Sequence, residues 1–350
     1  MSDAKPSYMA SLIQELFSAG VLSNVLAIEV EPSAQYSARL KYRSGAVRMT
    51  YAFDIGLNPS SVAAVMRDKG FAKFFMSRHN IAVASGGTFL ADWWADRLGY
   101  NPEHPSRLAL AGNFVTEQIG FPVYIKPVDG SMGLNVRKCY STDDLFSIAA
   151  EFNIERVKAA VVERSIALPD YRVVVFEQQI FAAYQRKHAT LTGDGHSTVN
   201  DLLCRLKSDL SLLGRNVNFN AYDTTLDATM KAHKIQLDTI ISAGEEIRIM
   251  DVSNLSAGGS AVDLTNEIHP HWRDLAIRIA DLFGARMCGI DLACESLTSP
   301  SAAYAVLEVS GAPAMNHFAA LGEEQARRIR LLYECLLNQD PSVRYSPGGV

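Results

Sequence analysis

Apolar and polar positions follow two different periods along this chain, and each change of period marks an element. Tyr8 to Phe17 has apolar residues at helical spacing, Val25–Val30 is a strand-like apolar run, and Ala38–Tyr42 alternates as a strand does. From Ser61 to His79 the charges Arg67, Asp68, Lys69, Lys73 and Arg78 lie among Val65, Met66, Phe71, Phe74 and Phe75 at roughly helical spacing. Ile81–Val83 follows as a short strand. The polar stretch Gly86–Ser106, with Trp93 and Trp94, reads as an insertion before a helix from about Leu110 to Ile119 that Gly120 closes.

The middle of the chain is richer in strands. Phe121–Pro127 is aromatic and β-branched, Asp129–Gly133 is a small-residue tip, and Leu134–Val136 is a second strand, so the three predict a hairpin. Ser141–Asp144 caps a helix over Leu145–Phe152, and Ala159–Ile166 is an apolar strand that leaves through Leu168-Pro169-Asp170. Tyr171–Glu177 and Ile180–Gln185 form two more strands about a turn at Gln178-Gln179. Thr192–Gly195 turns the chain, through a Ser197/Thr198 cap, into a helix ending near Leu213. Beyond it come a strand (Glu246–Met250), a glycine-rich loop (Asn254–Gly259), a helix (Trp272–Phe283) entered through Pro270, strands Gly289–Cys294 and Tyr304–Val309, and a helix from Glu323 to Leu337. No internal repeat is visible. The order predicts a mixed α+β architecture dominated by antiparallel hairpins rather than regular βαβ alternation.

Composition narrows the function classes. The 350 residues are 48% hydrophobic and 20% charged, which suits two or three folded units and excludes a disordered or fibrous chain. A net charge of −5 argues against a nucleic-acid partner. No run approaches the ~20 apolar residues that span a bilayer, and the first residues do not read as a leader, so the cytoplasm is the expected address. The five cysteines have no zinc-ligand spacing and read as buried thiols. His269 and His271 flank Pro270 at a helix entrance without a further ligand nearby.

Four constellations remain as candidate chemistry. Asp291 and Glu308 lie on strands flanking a loop centred on Ser299-Pro300, and a symmetric loop makes them cross-strand partners with Cβ atoms ~4.5–5.5 Å apart. Such a pair is either two solvated strand acids or a carboxylate pair around a divalent cation, for which Mg²⁺ is the natural choice. Lys126 precedes a hairpin tip whose backbone N–H groups are suited to closing over phosphates. Glu163–Ile166 followed by Asp170 is an apolar strand with a polar edge, suited to an adenine and a ribose but equally to a core strand leaving at a turn. Arg248 precedes the loop at 254–259, joining a permanent cation to exposed backbone donors, and as a surface residue it would do neither.

Taken in order, lysine near 69, lysine plus glycine loop at 126–134, strand edge at 163–170, arginine plus glycine loop at 248–259, and acids at 291 and 308 resemble the ATP-grasp superfamily. The nearer resemblance is to the ligase module of cyanophycin synthetases and D-alanine–D-alanine ligases, over about Asn58 to His317. It implies two α+β subdomains clamping ATP, at 66–160 and 161–340, after a short N-terminal α/β region at 1–65. It implies phosphate contacts from Lys69, Lys126 and Lys73, and a mobile lid made of Gly130, Ser131, Met132, Gly133 and Leu134. Glu163, Arg164, Ser165 and Ile166 become the adenine hinge, and Asp170 the ribose contact. Arg248 and Lys126 become the catalytic cations, and Asp291 and Glu308, with Ser310, the holders of one or two Mg²⁺ ions. Arg172, Arg186, Lys187, His188, Gly258, Gly259, Asn316 and His317 are candidates for substrate.

The implied reaction is ATP-dependent ligation of a carboxylate to an amine through an acyl phosphate, on amino acids or a short peptide. A kinase on the same fold and a silent nucleotide-binding regulatory protein are the alternatives, and a homodimer is the oligomeric expectation. The sequence departs from the resemblance at Ser310, where such ligases carry asparagine; serine offers one oxygen on a shorter arm. The short N-terminal region leaves the acyl-substrate site unassigned, with Gly86–Ser106 either covering part of it or forming an oligomer contact.

Overall fold

A computed structural model describes residues 7–130, 135–212, 226, 230, 231, 234–249 and 258–342. The chain opens with helix α1 (Tyr8–Ser18), which Ser7 caps by accepting from the Ala10 amide, and a meander of β1 (Val25–Val30), β2 (Ser37–Tyr42) and β3 (Val47–Tyr51). The 61–79 region is two helices, α2 (Ser60–Arg67) and α3 (Lys69–Arg78), where the pattern predicts one. Asp68 has extended backbone angles and its carboxylate accepts from the Phe71 amide, so it stops one helix and caps the next. Ile81–Val83 forms no strand of its own; Val83 makes a single parallel bridge to Val306.

Gly86–Ser106 is no insertion. Its first residues are β4 (Gly86–Leu90), the edge of a four-stranded antiparallel sheet with β5 (Val123–Pro127), β6 (Arg137–Cys139) and β7 (Ala159–Arg164) in the order β4-β7-β5-β6. Helix α4 (Asp92–Arg97) follows, with the Trp93 indole donating to the Val157 carbonyl at 2.8 Å. One turn of 3₁₀ helix (Leu108–Leu110), α5 (Ala111–Phe114) and a π-type turn (Val115–Ile119) together make the helix expected over 110–119, and Gly120 ends it at φ 70°. The second hairpin strand lies at 137–139 rather than 134–136, and Leu134 is outside the described residues. Helix α6 (Thr142–Ile154) begins with a capping box between Ser141 and Asp144. The boundary expected at residue 161 falls inside β7.

A five-stranded sheet forms the centre, ordered β12 (Ser260–Asp263), β9 (Gln179–Lys187), β8 (Asp170–Phe176), β13 (Met287–Cys294), β14 (Tyr304–Ser310). All eight residues of β13 are buried, because both faces of this sheet are covered. One face, with Val173, Val175, Cys288, Ile290 and Leu292, packs on Trp272 and Ile279 of helix α8 (Pro270–Phe283) and on Met66 and Met76. The opposite face, with Val174, Ala182 and Met287, packs on α1, the N-terminal strands and helices α9 (Asn316–Ala319) and α10 (Glu323–Asn338). A two-stranded ribbon of β10 (Thr190–Thr192) and β11 (Glu246–Arg248) packs on helix α7 (Val199–Leu212) as a smaller cluster.

The approach of β4 to β7 is tight at one point. A Cβ on Gly86 would stand 2.2 Å from the Val162 carbonyl oxygen and 2.7 Å from the Glu163 Cα, and both neighbours are backbone. Gly86→Ala is therefore expected to lower unfolding free energy by about 1–3 kcal/mol, read from the urea midpoint. An unchanged midpoint would show that β4 can lie further from β7 at no cost.

Candidate functional site

The register of the central sheet builds one wall of the site. Strand side chains alternate faces, so residues 287, 289, 291 and 293 of β13 share the face that begins apolar at Met287 and turns polar at Asp291. Asp291 pairs with Arg172 on β8 and with Glu308 on β14, and Asp170 on β8 pairs with Arg186 on β9. Asp291 meets Glu308 as expected, but through a bulge rather than through a symmetric loop. Nearer the loop the register shifts: Leu292 pairs with Val306, which leaves Leu307 as an extra residue at a bulge, and Leu307 lines the cavity.

The charges on this wall are paired. Arg172 grips Asp291 through Nε and, at 3.0 Å, through Nη2, and Arg186 Nη2 lies 2.8 Å from both Asp291 Oδ2 and Asp170 Oδ1. Burial pushes the Asp291 carboxyl up, but Arg172 and Arg186 override it and hold the group below the usual carboxylate range. Gly289 makes room beside this cluster: a Cβ there would come within 2.6 Å of Pro313 and 3.5 Å of the Arg172 guanidinium.

The four-stranded sheet supplies the facing wall. Tyr124, Lys126, Val161 and Glu163 share one face of β5 and β7, where Lys126 pairs with Val161 and Tyr124 with Glu163. Lys126 and Glu163 are therefore diagonal neighbours, and the Lys126 ammonium pairs with Glu163 Oε1. Lys73, from α3, pairs with Oε2 of the same carboxylate and donates to the Ala84 carbonyl at 3.3 Å. Burial works against the Lys126 charge, but Glu163, Glu308 and Asp291 raise its pKa above the ordinary lysine value. Burial dominates at Lys73, whose pKa is lowered although Glu163 opposes the shift. Glu163, nearly enclosed, is kept below the usual carboxylate value because its two lysines outweigh burial. Lys69 reaches from the first turn of α3 to the Gly130 carbonyl, and its ammonium lies 3.5 Å from Glu308, joining the two walls.

Between the walls is a cavity of about 470 Å³. Of the predicted residues, Lys69, Lys126, Gly130, Glu163, Arg164, Ser165, Ile166, Asp170, Arg186, His188, Arg248, Asp291 and Glu308 line it together. Lys73, Arg172, Gly258, Gly259, Asn316, His317 and Ser310 are not on its lining. Lys73 and Arg172 stand behind it, each on an acid that does line it. The Ser310 hydroxyl accepts from the Ala312 amide at 3.4 Å. Ser131, Met132, Gly133 and Leu134 of the predicted lid, and residues 254–257 of the second glycine loop, lie outside the described residues. Pattern reading missed Tyr124, Val136, Lys138, Ala293 and Leu307, and Pro127 with Ala167–Pro169 completes the lining. For Tyr124 and Lys126 the strand alternation was signal enough, since they are two apart on one strand.

The acid pair suits a hard divalent cation of the magnesium type, which takes one or two protein carboxylates and leaves its other positions to phosphate oxygens and water. Glu308, its side chain 34% exposed, is the accessible member, while both oxygens of Asp291 are held by arginines. Among the described residues no group of three or more His, Cys, Asp or Glu forms an all-protein cage.

No family model matches the chain. It is similar to the cyanophycin synthetase of Synechocystis sp., 30% identical over 219 residues that make up 60% of this chain and 25% of that protein. It is also similar to the glutathione biosynthesis bifunctional protein of Mannheimia succiniciproducens, 28% identical over 224 residues, 61% of this chain and 29% of that protein. The chain thus matches only a quarter to under a third of the length of these homologues. Among solved structures, a bifunctional glutathione synthetase from Pasteurella multocida superposes with a TM-score of 0.57 at 19% identity, over 94% of this chain and 44% of that one. The fold is the ATP-grasp fold. No described helix is long and apolar enough to cross a membrane.

The Asp291 cluster makes a prediction for stability. Asp291→Ala leaves two buried guanidiniums short of a counter-charge and is expected to cost about 3–5 kcal/mol in urea unfolding. The folded carboxyl titrates below its unfolded value, so its stabilisation is complete above about pH 4 and is lost as pH falls towards the folded pKa. Asp291→Asn should accordingly flatten part of the acid limb of the stability curve; an unaltered limb would place the acid sensitivity elsewhere.

Proposed function

We propose that this chain is an ATP-dependent carboxylate–amine ligase, joining an amino acid or short peptide through an acyl phosphate and releasing ADP and phosphate. The observation that carries the reading is the cavity itself, whose walls bring Lys69, Lys126, Asp291 and Glu308 together around one space. Its homologues by name are a cyanophycin synthetase and a glutathione biosynthesis protein, which supports amide-bond chemistry of this class.

In this reading Ser165 and Ile166 frame the adenine, with Leu307 as an apolar contact, and Asp170 meets the ribose while still paired to Arg186. Lys69 and Lys126 hold the phosphates and lower the repulsion that a substrate carboxylate meets as its oxygen attacks the γ-phosphorus. That attack forms the mixed anhydride and expels ADP. The amine then adds to the acyl carbon, loses a proton, and displaces phosphate to leave the amide. Mg²⁺, held by Glu308 with Asp291, would supply charge neutralisation at the phosphates. Arg248, beside the cavity, steadies the acyl phosphate. Positioning and electrostatics carry such a reaction, so it requires no nucleophilic side chain. The cytoplasm, which supplies ATP and free amino acids, is the address we infer. A second reading rests on Ser310: with one hydroxyl where asparagine is usual, the chain would bind nucleotide without turnover.

ADP release from Mg-ATP, measured against pools of amino acids and dipeptides with hydroxylamine present, tests the reading. ADP together with a hydroxamate is the expected outcome, ADP with a stable phosphorylated product would indicate a kinase, and binding without release the silent protein. Lys126→Ala is expected to lower turnover by a factor of about 10²–10³, as loss of a transition-state charge does elsewhere. Glu308→Gln should weaken Mg²⁺-dependent turnover and leave the fold intact, since Lys69 keeps the Gly130 carbonyl as a partner. Full activity in either variant would remove that residue from the mechanism.

A further inference from the structure

The three-membered charge cluster on the four-stranded sheet has an arithmetic of its own. Glu163 has one lysine on each carboxylate oxygen: Lys126 on Oε1 and Lys73 on Oε2. All three side chains are nearly enclosed, with 10% of Lys126, 12% of Lys73 and 5% of Glu163 exposed. Lys126 and Glu163 line the cavity, whereas Lys73 does not. Lys73 is therefore set behind the carboxylate, where it is anchored also to the Ala84 carbonyl.

A buried carboxylate beside one buried lysine is a neutral pair, and a neutral pair attracts an anion weakly. The second lysine leaves the cluster with one net positive charge, and the member at the cavity wall is Lys126. We propose that Lys73 is a positioning residue: by satisfying Glu163 from behind, it leaves the Lys126 charge available to the phosphates of the nucleotide. Resting on the nucleotide reading above, this moves Lys73 from phosphate contact to phosphate control at one remove. The tight approach of Gly86 to Val162 and Glu163 serves the same end, since it holds the strand bearing the carboxylate in place.

Binding of a fluorescent N-methylanthraniloyl ADP in the presence of Mg²⁺ tests the proposal, with thermal melts run on each variant. Lys73→Met is expected to weaken binding by on the order of tenfold to a hundredfold, because Glu163 then neutralises Lys126. Lys73→Arg, which keeps the charge, should bind within about threefold of wild type. The deciding variant is the double substitution Lys73→Met with Glu163→Gln. It again leaves one net positive charge, on Lys126, and should recover most of the lost affinity, which a purely structural role for Lys73 would not give. Should Lys73→Met fail to fold, the double variant is compared with Glu163→Gln alone: binding within about threefold of that single variant supports the proposal, since Lys73 then has no carboxylate to satisfy, and a further loss of about tenfold overturns it. Wild-type protein that binds no ADP overturns the nucleotide reading and this inference with it. Wild-type binding with Lys73→Met equally tight, or a double variant as weak as Lys73→Met, overturns the inference alone.

Discussion

The pairing register of β13 governs this molecule. Asp291 lies between Arg172 on one neighbour and Glu308 on the other, and its own side neighbours along the strand, Ile290 and Leu292, point into the apolar cluster around Trp272. A slip of β13 by one residue would turn the carboxylate into that cluster, away from its arginines, and bring apolar side chains into the cavity. Buried ions make such an error very costly, so the charge row and the apolar row enforce the same register from opposite faces. The four-stranded sheet solves its own problem in the same way, with Glu163 between two cations. In both walls an acid with more than one basic partner is the unit of construction.

That construction explains how an acidic chain offers a basic site. The net charge is −5, yet Lys69, Lys126, Lys138, Arg164, Arg186 and Arg248 face the cavity against Glu163, Asp170, Asp291 and Glu308. Overall charge is a sum over a mostly exposed surface, where screening acts within about 10 Å, while a cavity of this depth responds to the few groups on its walls. The balance that argues against a nucleic-acid partner therefore carries no objection to a nucleotide. The acids fix the cations in place.

Much of this was legible because local rules and tertiary packing agree. The strand over residues 25–30, the Ser141 cap and the Pro270 entrance to α8 follow from periodicity and capping, whereas the facing of Asp291 and Glu308 agrees with the symmetric-loop expectation only because a bulge corrects the register. What was not legible depends on contacts distant in sequence. Gly86–Leu90 lacks a distinctive strand pattern and becomes a strand because β7, some seventy residues on, offers an edge to it. The break at Asp68 is invisible to apolar spacing, since α2 and α3 both use that spacing; only the capping potential of aspartate hinted at it. The bulge at Leu307 is set by how β14 closes over β13, and no turn residue announces it.

Lys73 shows why a list of basic residues is not yet a site. It stands four residues after Lys69, one helical turn on, so spacing alone assigns both lysines to one face and one partner. The structure separates them: Lys69 reaches forward to the Gly130 carbonyl and Glu308, and Lys73 reaches sideways to Glu163 and Ala84. A helical face is wide enough to serve two sheets at once when it is packed near their junction, as α3 is against β7 and β14. The same helix thus gives one lysine to each wall. With those two contacts, each of the four acids on the cavity wall has a basic partner drawn from a different element of the fold.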